Sequence, residues 1–124
     1  MQANTAPETA IQVTAGTDSL DAHGRVSAGW LFGQLDRLAT QVGEVLTHGP
    51  IVVVSVNGFQ LQVPVHDGET LTLRAECLRQ GKSSLTLKLC AEALRGLDVN
   101  VMVTEVIITL VAVDLQGKSR IFSC

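Results

Sequence analysis

The sequence is poor in the features that proteins use to bind nucleic acids. It has no tyrosine, 3% aromatic residues and 17% charged residues, and twelve acidic residues outnumber nine Lys and Arg to give a formal net charge of -3. Sequence-independent binding of nucleic acids needs clustered cations, and single strands are commonly held by stacking on aromatic rings. The composition therefore argues against a nucleic-acid partner.

Signals for export and membrane insertion are also lacking. Residues 1–7 contain neither a basic stretch nor an apolar one. The most apolar stretch, residues 99–113, is interrupted by Thr104 and Glu105 and is too short to span a bilayer. Three cysteines in no metal-ligand spacing indicate reduced thiols. We therefore expect a cytoplasmic protein that has no membrane partner and no metal site.

The 124 residues, 46% of them hydrophobic, are expected to form a single domain over residues 1–124, with a loose segment at residues 1–10. A helix is predicted over residues 29–46, because its leucines and valines recur every three or four residues on one stripe. Residues 48–50 (His-Gly-Pro) are typical of a helix that ends at a glycine. A flank of the stripe has little side-chain bulk, so a ligand can approach it. This flank comprises Gly29, Gly33, Asp36, Thr40 and Gly43.

The rest of the chain alternates apolar and polar residues, which predicts β-strands. Residues 101–113 are apolar on both faces, which is typical of a central strand, here with another subunit on one side. A change of parity at Asn57 and Gly58 predicts a β-bulge. Cys77 and Cys90 fall on opposite faces, which argues against a disulfide. The predicted strands are residues 11–13, 52–65, 71–79, 85–93 and 101–113. This order predicts an α+β fold, with an antiparallel sheet wrapped around one long central helix.

Asp36 is the first candidate for a catalytic residue. It lies in the middle of the predicted helix, on the small-residue flank beside the apolar stripe. A carboxylate in a partly dry groove can act as a general base or as a nucleophile. The alternative is a solvated polar position, paired with Arg37 or Thr40. The pattern alone leaves both interpretations open.

A second candidate, Asp21, lies in the irregular loop predicted over residues 14–26. It precedes the helix N-terminus, where outward-pointing N–H groups stabilise negative charge. The N–H groups of Ala28 and Gly29 are the expected donors to an oxyanion. In the alternative interpretation, Asp21 only caps the amides of an ordinary loop.

A third candidate is a predicted hairpin turn that combines a cation with two hydroxyl groups. It consists of Gly81, Lys82, Ser83 and Ser84. Such a turn either contacts a phosphate or pantetheine group or is simply solvated.

In their order and spacing these segments resemble the hotdog-fold acyl-CoA thioesterases, above all the YciA-type short-chain acyl-CoA hydrolases of bacteria and the cytosolic acyl-CoA hydrolases of animals. The resemblance extends over about residues 11–120. It is carried by residues 21–30, 34–36, 52–65, 81–84 and 111–118.

The resemblance implies a dimer-based hotdog fold with an active site between subunits. In this family the homodimer often assembles further, and the expected assembly is a homodimer or a larger form, either a dimer of dimers or a trimer of dimers. The family's helix aspartate corresponds to Asp36, and Asp21 stands where the family usually has asparagine. Asp36 of one subunit would then act with Asp21 of the other, either one being the base or the nucleophile.

The expected function is hydrolysis of an acyl-CoA thioester to a free acid and CoA. Coenzyme A is part of the substrate and is expected to contact residues 81–84, and no separate cofactor is implied. A carrier-protein thioester is an alternative substrate. A non-catalytic acyl-CoA-binding module and a structural self-associating domain are alternative functions.

Overall fold

The structure, a computed structural model that describes residues 9–96 and 99–123, consists of one long α-helix and one antiparallel sheet of five strands. In chain order the elements are β1 (Thr9–Thr14), a 3₁₀ turn (Thr17–Ser19), α1 (Ala28–Thr47), β2 (Ile51–Asn57), β3 (Thr70–Gln80), β4 (Ser84–Leu94) and β5 (Asn100–Ala112). In the sheet the strands lie in the order β1-β3-β4-β5-β2. This confirms the predicted α+β architecture.

Helix α1 packs its leucine stripe against the inner face of the sheet. Full burial of a leucine side chain contributes about 1.5–3 kcal/mol relative to exposure. This packing outweighs the low helix propensity of the glycine and threonine residues in α1. The interface is formed by the fully buried Leu31, Leu35 and Leu38 of the helix and by Leu73, Leu87, Leu89 and Ile108 of the sheet.

The C-terminus of α1 differs from the prediction in one residue. The left-handed residue is His48, with φ of 62°, and not Gly49. Gly49 is needed for space, because a Cβ there would lie 2.7 Å from Nη2 of Arg120. The Arg120 guanidinium donates to the carbonyl oxygens of Thr47, Pro50 and Val113 and to the Thr47 hydroxyl. A cation therefore caps the negative end of the helix dipole.

Replacing His48 with glycine is expected to stabilise the protein by about 1 kcal/mol, because glycine adopts the left-handed conformation without the Cβ clash. Chemical denaturation of the two proteins measures the difference. The matched control is Gly49→Ala, which is expected to destabilise, since the Arg120 guanidinium is fixed by its hydrogen bonds. Equal stability of wild type and His48→Gly would contradict this account of the helix end.

Strands β3 and β4 form the predicted hairpin and bury alternate residues on the helix side. Cys77 lies opposite Leu87, and Cys90 lies opposite Arg74. The two cysteines are on different faces of the sheet and are not joined by a disulfide, as predicted.

Strand β5 is central, as predicted, between β4 and β2. Its inner face is buried, but Ile107 on the outer face is 37% exposed. A single chain therefore covers β5 on one face only.

The predicted bulge at Asn57 and Gly58 is wrong. β2 ends at Asn57, and Gly58 has φ of 83°, which turns the chain out of the sheet. The ladder between β2 and β5 instead shifts between Val53 and Ser55. An Asn-Gly pair signals a turn as readily as a bulge, and here it ends the strand.

The predicted continuation of this strand to residue 65 is also wrong. Residues 58–69 form a loop attached to β5, since the Gln62 N–H donates to the Val103 carbonyl oxygen at 2.8 Å and the Thr104 hydroxyl donates to the Gln60 carbonyl oxygen at 2.6 Å. The apolar alternation reflects burial of loop side chains such as Val65.

The loose segment predicted over residues 1–10 is partly outside the described residues. Residues 1–8 are not described, whereas Thr9 and Ala10 begin β1 and pair with Ala75 and Arg74. Within residues 9–96 and 99–123, no helix has the length and apolar content needed to cross a bilayer.

Candidate active site

The first turn of α1 presents backbone N–H groups to an open surface. Ser27 caps the helix: its hydroxyl accepts from the Trp30 N–H at 3.0 Å, and its carbonyl oxygen accepts from the Leu31 N–H at 3.2 Å. The N–H groups of Ala28 and Gly29 precede the first intrahelical hydrogen bond and have no partner within the helix. Apart from its chain neighbours and the helix backbone, no atom of residues 9–96 and 99–123 lies within 4 Å of a Cβ built on Gly29. A developing negative charge can therefore approach these two donors closely.

Asp36 lies two turns further along the same helix, about 10 Å from Gly29. It is half-buried, as predicted for the edge of a groove. Within residues 9–96 and 99–123, no hydrogen bond or ion pair engages its carboxylate, so the alternative pairing with Arg37 or Thr40 is not observed. The carboxylate remains available to bind a water molecule or to attack a substrate.

The small-residue flank is open at its N-terminal end and packed at its C-terminal end. In the described part of the chain, a Cβ built on Gly33 would have no atom within 4 Å apart from its chain neighbours and the helix backbone. A Cβ on Gly43, in contrast, would lie 3.0 Å from Leu110 and 3.4 Å from Ile51. Ligand access along this flank is therefore confined to the half of α1 that contains Asp36.

The flank faces the β2 edge of the sheet. Phe32, one turn before Asp36, packs against Phe59 just beyond β2, with ring centroids 5.2 Å apart and planes inclined at 68°. Ile51, which lies near Gly43, begins β2. Residues three and four apart share a helix side, so Asp36 lies on the side of α1 that faces β2.

Asp21 is held by the amides of its own loop. Its Oδ1 atom accepts from the His23 N–H at 2.8 Å and from the Arg25 N–H at 3.0 Å. Its own N–H donates to the Arg25 carbonyl oxygen at 2.6 Å, and Leu20 and Val26 pair across the base of the loop. These backbone hydrogen bonds lower the pKa of Asp21. Asp21 thus caps amides of its own loop, as the alternative interpretation predicts. Its Oδ2 atom is the carboxylate oxygen that remains for another role.

Asp21→Asn is expected to preserve this loop and Asp21→Ala to release it, because an amide oxygen accepts the same two hydrogen bonds. Amide exchange and NMR shifts of His23 and Arg25 measure the effect. With its pKa lowered by folding, Asp21 stabilises the loop above the ordinary pKa of aspartate, and this is lost as pH falls through the lowered value. In Asp21→Asn, the NMR shifts of His23 and Arg25 should therefore not change with the titration of residue 21 at acid pH. If wild type and Asp21→Asn showed the same change in these shifts, the role of the Asp21 carboxylate in the loop would be contradicted.

The turn predicted to contact CoA lies at the other end of the molecule. The Lys82 carbonyl oxygen accepts from the Phe122 N–H, and the Ser83 carbonyl oxygen accepts from the Ala112 N–H. Ala112 in turn pairs with Ile51, which follows the C-terminus of α1. The turn and the free amides of Ala28 and Gly29 are thus separated by roughly the 30 Å length of α1. Within one chain they do not form one site.

Two loops border an open cavity of about 250 Å³ beside the start of α1. The loop that contains Pro64 is fixed by Arg95, which donates to both oxygens of Glu69 at 2.7 and 2.9 Å and to the Pro64 carbonyl oxygen at 2.7 Å. The Arg95 guanidinium lowers the pKa of Glu69. We call this space the loop cavity; it is lined by Gly24, Arg25, Val26, Leu61, Pro64, Val65, His66 and Asp67.

A second, apolar groove of about 260 Å³ lies between the C-terminal half of α1 and strands β1 and β3. It is lined by residues such as Ile11, Leu38, Val45 and Cys77. It is on the β1 side of α1, away from the flank that carries Asp36. In the described part of the chain, no three His, Cys, Asp or Glu side chains are grouped to hold a metal ion.

Sequence reasoning missed the groups that hold the site in place. The bidentate pair of Glu69 and Arg95 joins residues far apart in the chain, and no local pattern reveals it. The hydrogen bonds that Arg120 donates at the end of α1 are likewise not revealed by a local pattern. The Ser27 cap was detectable, since a serine immediately before an apolar-periodic segment is a helix-start signal.

A family model described as the thioesterase superfamily matches residues 23–99, and the chain belongs to that superfamily. The acyl-CoA thioester hydrolase YciA of Escherichia coli is 29% identical over 104 residues, which are 81% of this chain and 79% of that protein. The predicted family is therefore confirmed.

Solved structures support the same assignment. A hexameric thioesterase from Yersinia pestis is 28% identical and superimposes with a TM-score of 0.84, covering 92% of this chain and 93% of its own. A hexameric hotdog fold thioesterase of Campylobacter jejuni superimposes with a TM-score of 0.82 at 21% identity, over 91% of this chain and 88% of its own. The predicted hotdog fold is confirmed.

Proposed function

We propose that the protein hydrolyses acyl-CoA thioesters and that Asp36 is the catalytic carboxylate. The observation that carries this proposal is the unengaged, half-buried carboxylate of Asp36 on an open helix flank that begins with the free N–H groups of Ala28 and Gly29. The related YciA protein is an acyl-CoA thioester hydrolase, which supports the substrate class.

The reaction needs a nucleophile and a group that stabilises negative charge. In the general-base form, Asp36 takes a proton from water, and the water oxygen bonds to the thioester carbonyl carbon. The carbonyl oxygen becomes an oxyanion held by the N–H groups at the helix start. The carbon–sulfur bond then breaks, and the proton passes to the CoA thiolate, which leaves as the thiol beside a free acid. In the nucleophilic form, the Asp36 carboxylate bonds to that carbon and the carbon–sulfur bond breaks, which expels the CoA thiolate and leaves an anhydride. Water then hydrolyses the anhydride to the free acid and the Asp36 carboxylate, and the proton released by water passes to the thiolate.

The proposed site is completed by a second copy of the chain. β2 is an edge strand with a partner on one side only, and its exposed valines make that edge apolar. An unpaired apolar edge is a template for pairing with another strand. Val52, Val53, Val54 and Val56 are 44, 36, 57 and 42% exposed. The hexameric assembly of the Yersinia pestis relative supports self-association.

A two-fold axis through β2 explains how distant residues meet. β2 begins beside the C-terminus of α1, so antiparallel pairing of two β2 strands sets the end of one subunit that carries residues 81–84 toward the partner's helix start. The same arrangement lets Asp21 of one subunit complement Asp36 of the other. We therefore place the substrate between subunits, with its CoA portion toward Lys82.

Val54→Lys is expected to convert the assembly to monomers, because a charged side chain on the edge prevents pairing of two apolar strands. Sedimentation at micromolar concentration measures the mass. Val45→Lys is the matched control: Val45 is 71% exposed on α1, away from β2, and this variant should remain at least dimeric. A wild-type protein that sediments only as a monomer would contradict the proposed subunit arrangement.

Asp36→Ala and Asp36→Asn are each expected to reduce kcat about 10²–10⁴-fold. Thiol release from a panel of acyl-CoA esters measures the rate, and denaturation verifies that both variants fold. Arg37→Ala, a change at the next and exposed position, is the control and should retain activity. Full activity in both Asp36 variants would refute the catalytic assignment. Saturable binding of acyl-CoA by wild type without any turnover would instead identify a binding module.

A further inference from the structure

The loop cavity takes no part in the reaction described above, yet it lies next to the proposed oxyanion site. Val26 lines the cavity and is three residues before Gly29, so the two are at most about 10 Å apart. An acyl chain whose carbonyl oxygen is held at the helix start can therefore extend toward the cavity.

We infer that the loop cavity receives the acyl group and that Arg25 selects short acyl chains ending in a carboxylate. This inference rests on the proposed function, because it names the substrate class of the same site. It concerns the distal end of the acyl group and not the thioester itself.

The size of the cavity favours a short chain. Its volume of about 250 Å³ has room for roughly eight water-sized groups of about 30 Å³ each. A five-carbon dicarboxylic acyl group has a similar number of non-hydrogen atoms, whereas a long fatty acyl chain exceeds the space. The cavity therefore matches a short acyl group in size.

The lining divides into an apolar part and a cationic part. Val26, Leu61 and Val65 offer apolar surface to methylene groups. Arg25 adds a guanidinium, whose planar donors fit a carboxylate in a bidentate manner. His66 also lines the cavity and carries a ring N–H that can donate. A chain with methylenes in its middle and a carboxylate at its end matches both parts.

The backbone on both sides of the lining, at Arg25 and at His66, is held before any ligand arrives. The N–H and carbonyl groups of Arg25 are bonded to Asp21 at 3.0 and 2.6 Å. The N–H of His66 donates to Glu69 at 3.1 Å, and Glu69 is fixed by Arg95. Preorganised walls reduce the ordering cost of binding and sharpen discrimination between ligands.

Asp67 is the opposing charge in this cavity. Its carboxylate repels an anionic chain end and so reduces the selectivity that Arg25 provides. The two residues thus make opposite contributions, and substitutions at them are expected to move selectivity in opposite directions. A folding defect cannot produce such a pair of results.

The test compares glutaryl-CoA with pentanoyl-CoA, two esters of equal chain length that differ by a terminal carboxylate. The measured quantity is the ratio of their kcat/KM values. Wild type should prefer glutaryl-CoA. Arg25→Ala should lower the ratio about 10- to 100-fold, as expected for loss of a hydrogen-bonded charge pair, and Asp67→Asn should raise it. Lys118→Ala removes an exposed cation at the other end of the molecule and should leave the ratio unchanged.

The outcomes separate this inference from the proposed function. Turnover of pentanoyl-CoA without a preference for glutaryl-CoA, and with a ratio that Arg25→Ala does not lower, overturns the inference and leaves thioester hydrolysis standing. If the wild type hydrolyses neither these two esters nor any other acyl-CoA, the proposed function is overturned. The inference is then overturned as well.

Discussion

The burial of the α1 leucine stripe is the constraint on which the rest of the structure depends. Because Leu31, Leu35 and Leu38 must point into the sheet, rotation of the helix about its axis is fixed. Asp36 follows Leu35 directly, and successive helical residues are about 100° apart. The acid is therefore turned to the side of the interface, neither into the core nor fully into solvent. Its availability for chemistry is a result of how its neighbours pack.

The two aspartates illustrate how surroundings assign different roles to one side chain. Asp21 accepts hydrogen bonds from two amides and is thereby committed to the shape of its loop. Asp36 receives none from the described parts of the chain. The same contrast holds for the cations. The Arg95 guanidinium donates its hydrogen bonds to Glu69 and Pro64, whereas Arg25 lines a cavity. Backbone and ion-pair contacts thus build a stiff frame and leave a few groups unsatisfied for a ligand.

Most of the fold was predictable because side-chain periodicity is a local signal. The helix, the β3–β4 hairpin and the central β5 follow from spacings of three, four and two. The predictions were wrong where a local signal has two meanings. Asn57 and Gly58 end a strand instead of forming a bulge, and the apolar alternation over residues 59–65 belongs to a loop in which Val65 is buried and Leu61 is 40% exposed. Asp36 was predictable as a half-buried flank residue. The separation of residues 81–84 from the helix start was not, since it depends on strand order.

The two edges of the sheet are unlike each other, and this bears on aggregation. β1 is short and exposes Thr9, Gln12 and Thr14, whereas β2 exposes valines. A sheet in which both edge strands can pair with another chain can add copies without limit and grow into fibres. If two chains pair through β2 as proposed, the joined sheet ends in a polar β1 strand on both sides. Unequal edges of this kind favour the pairing of two chains over continued addition.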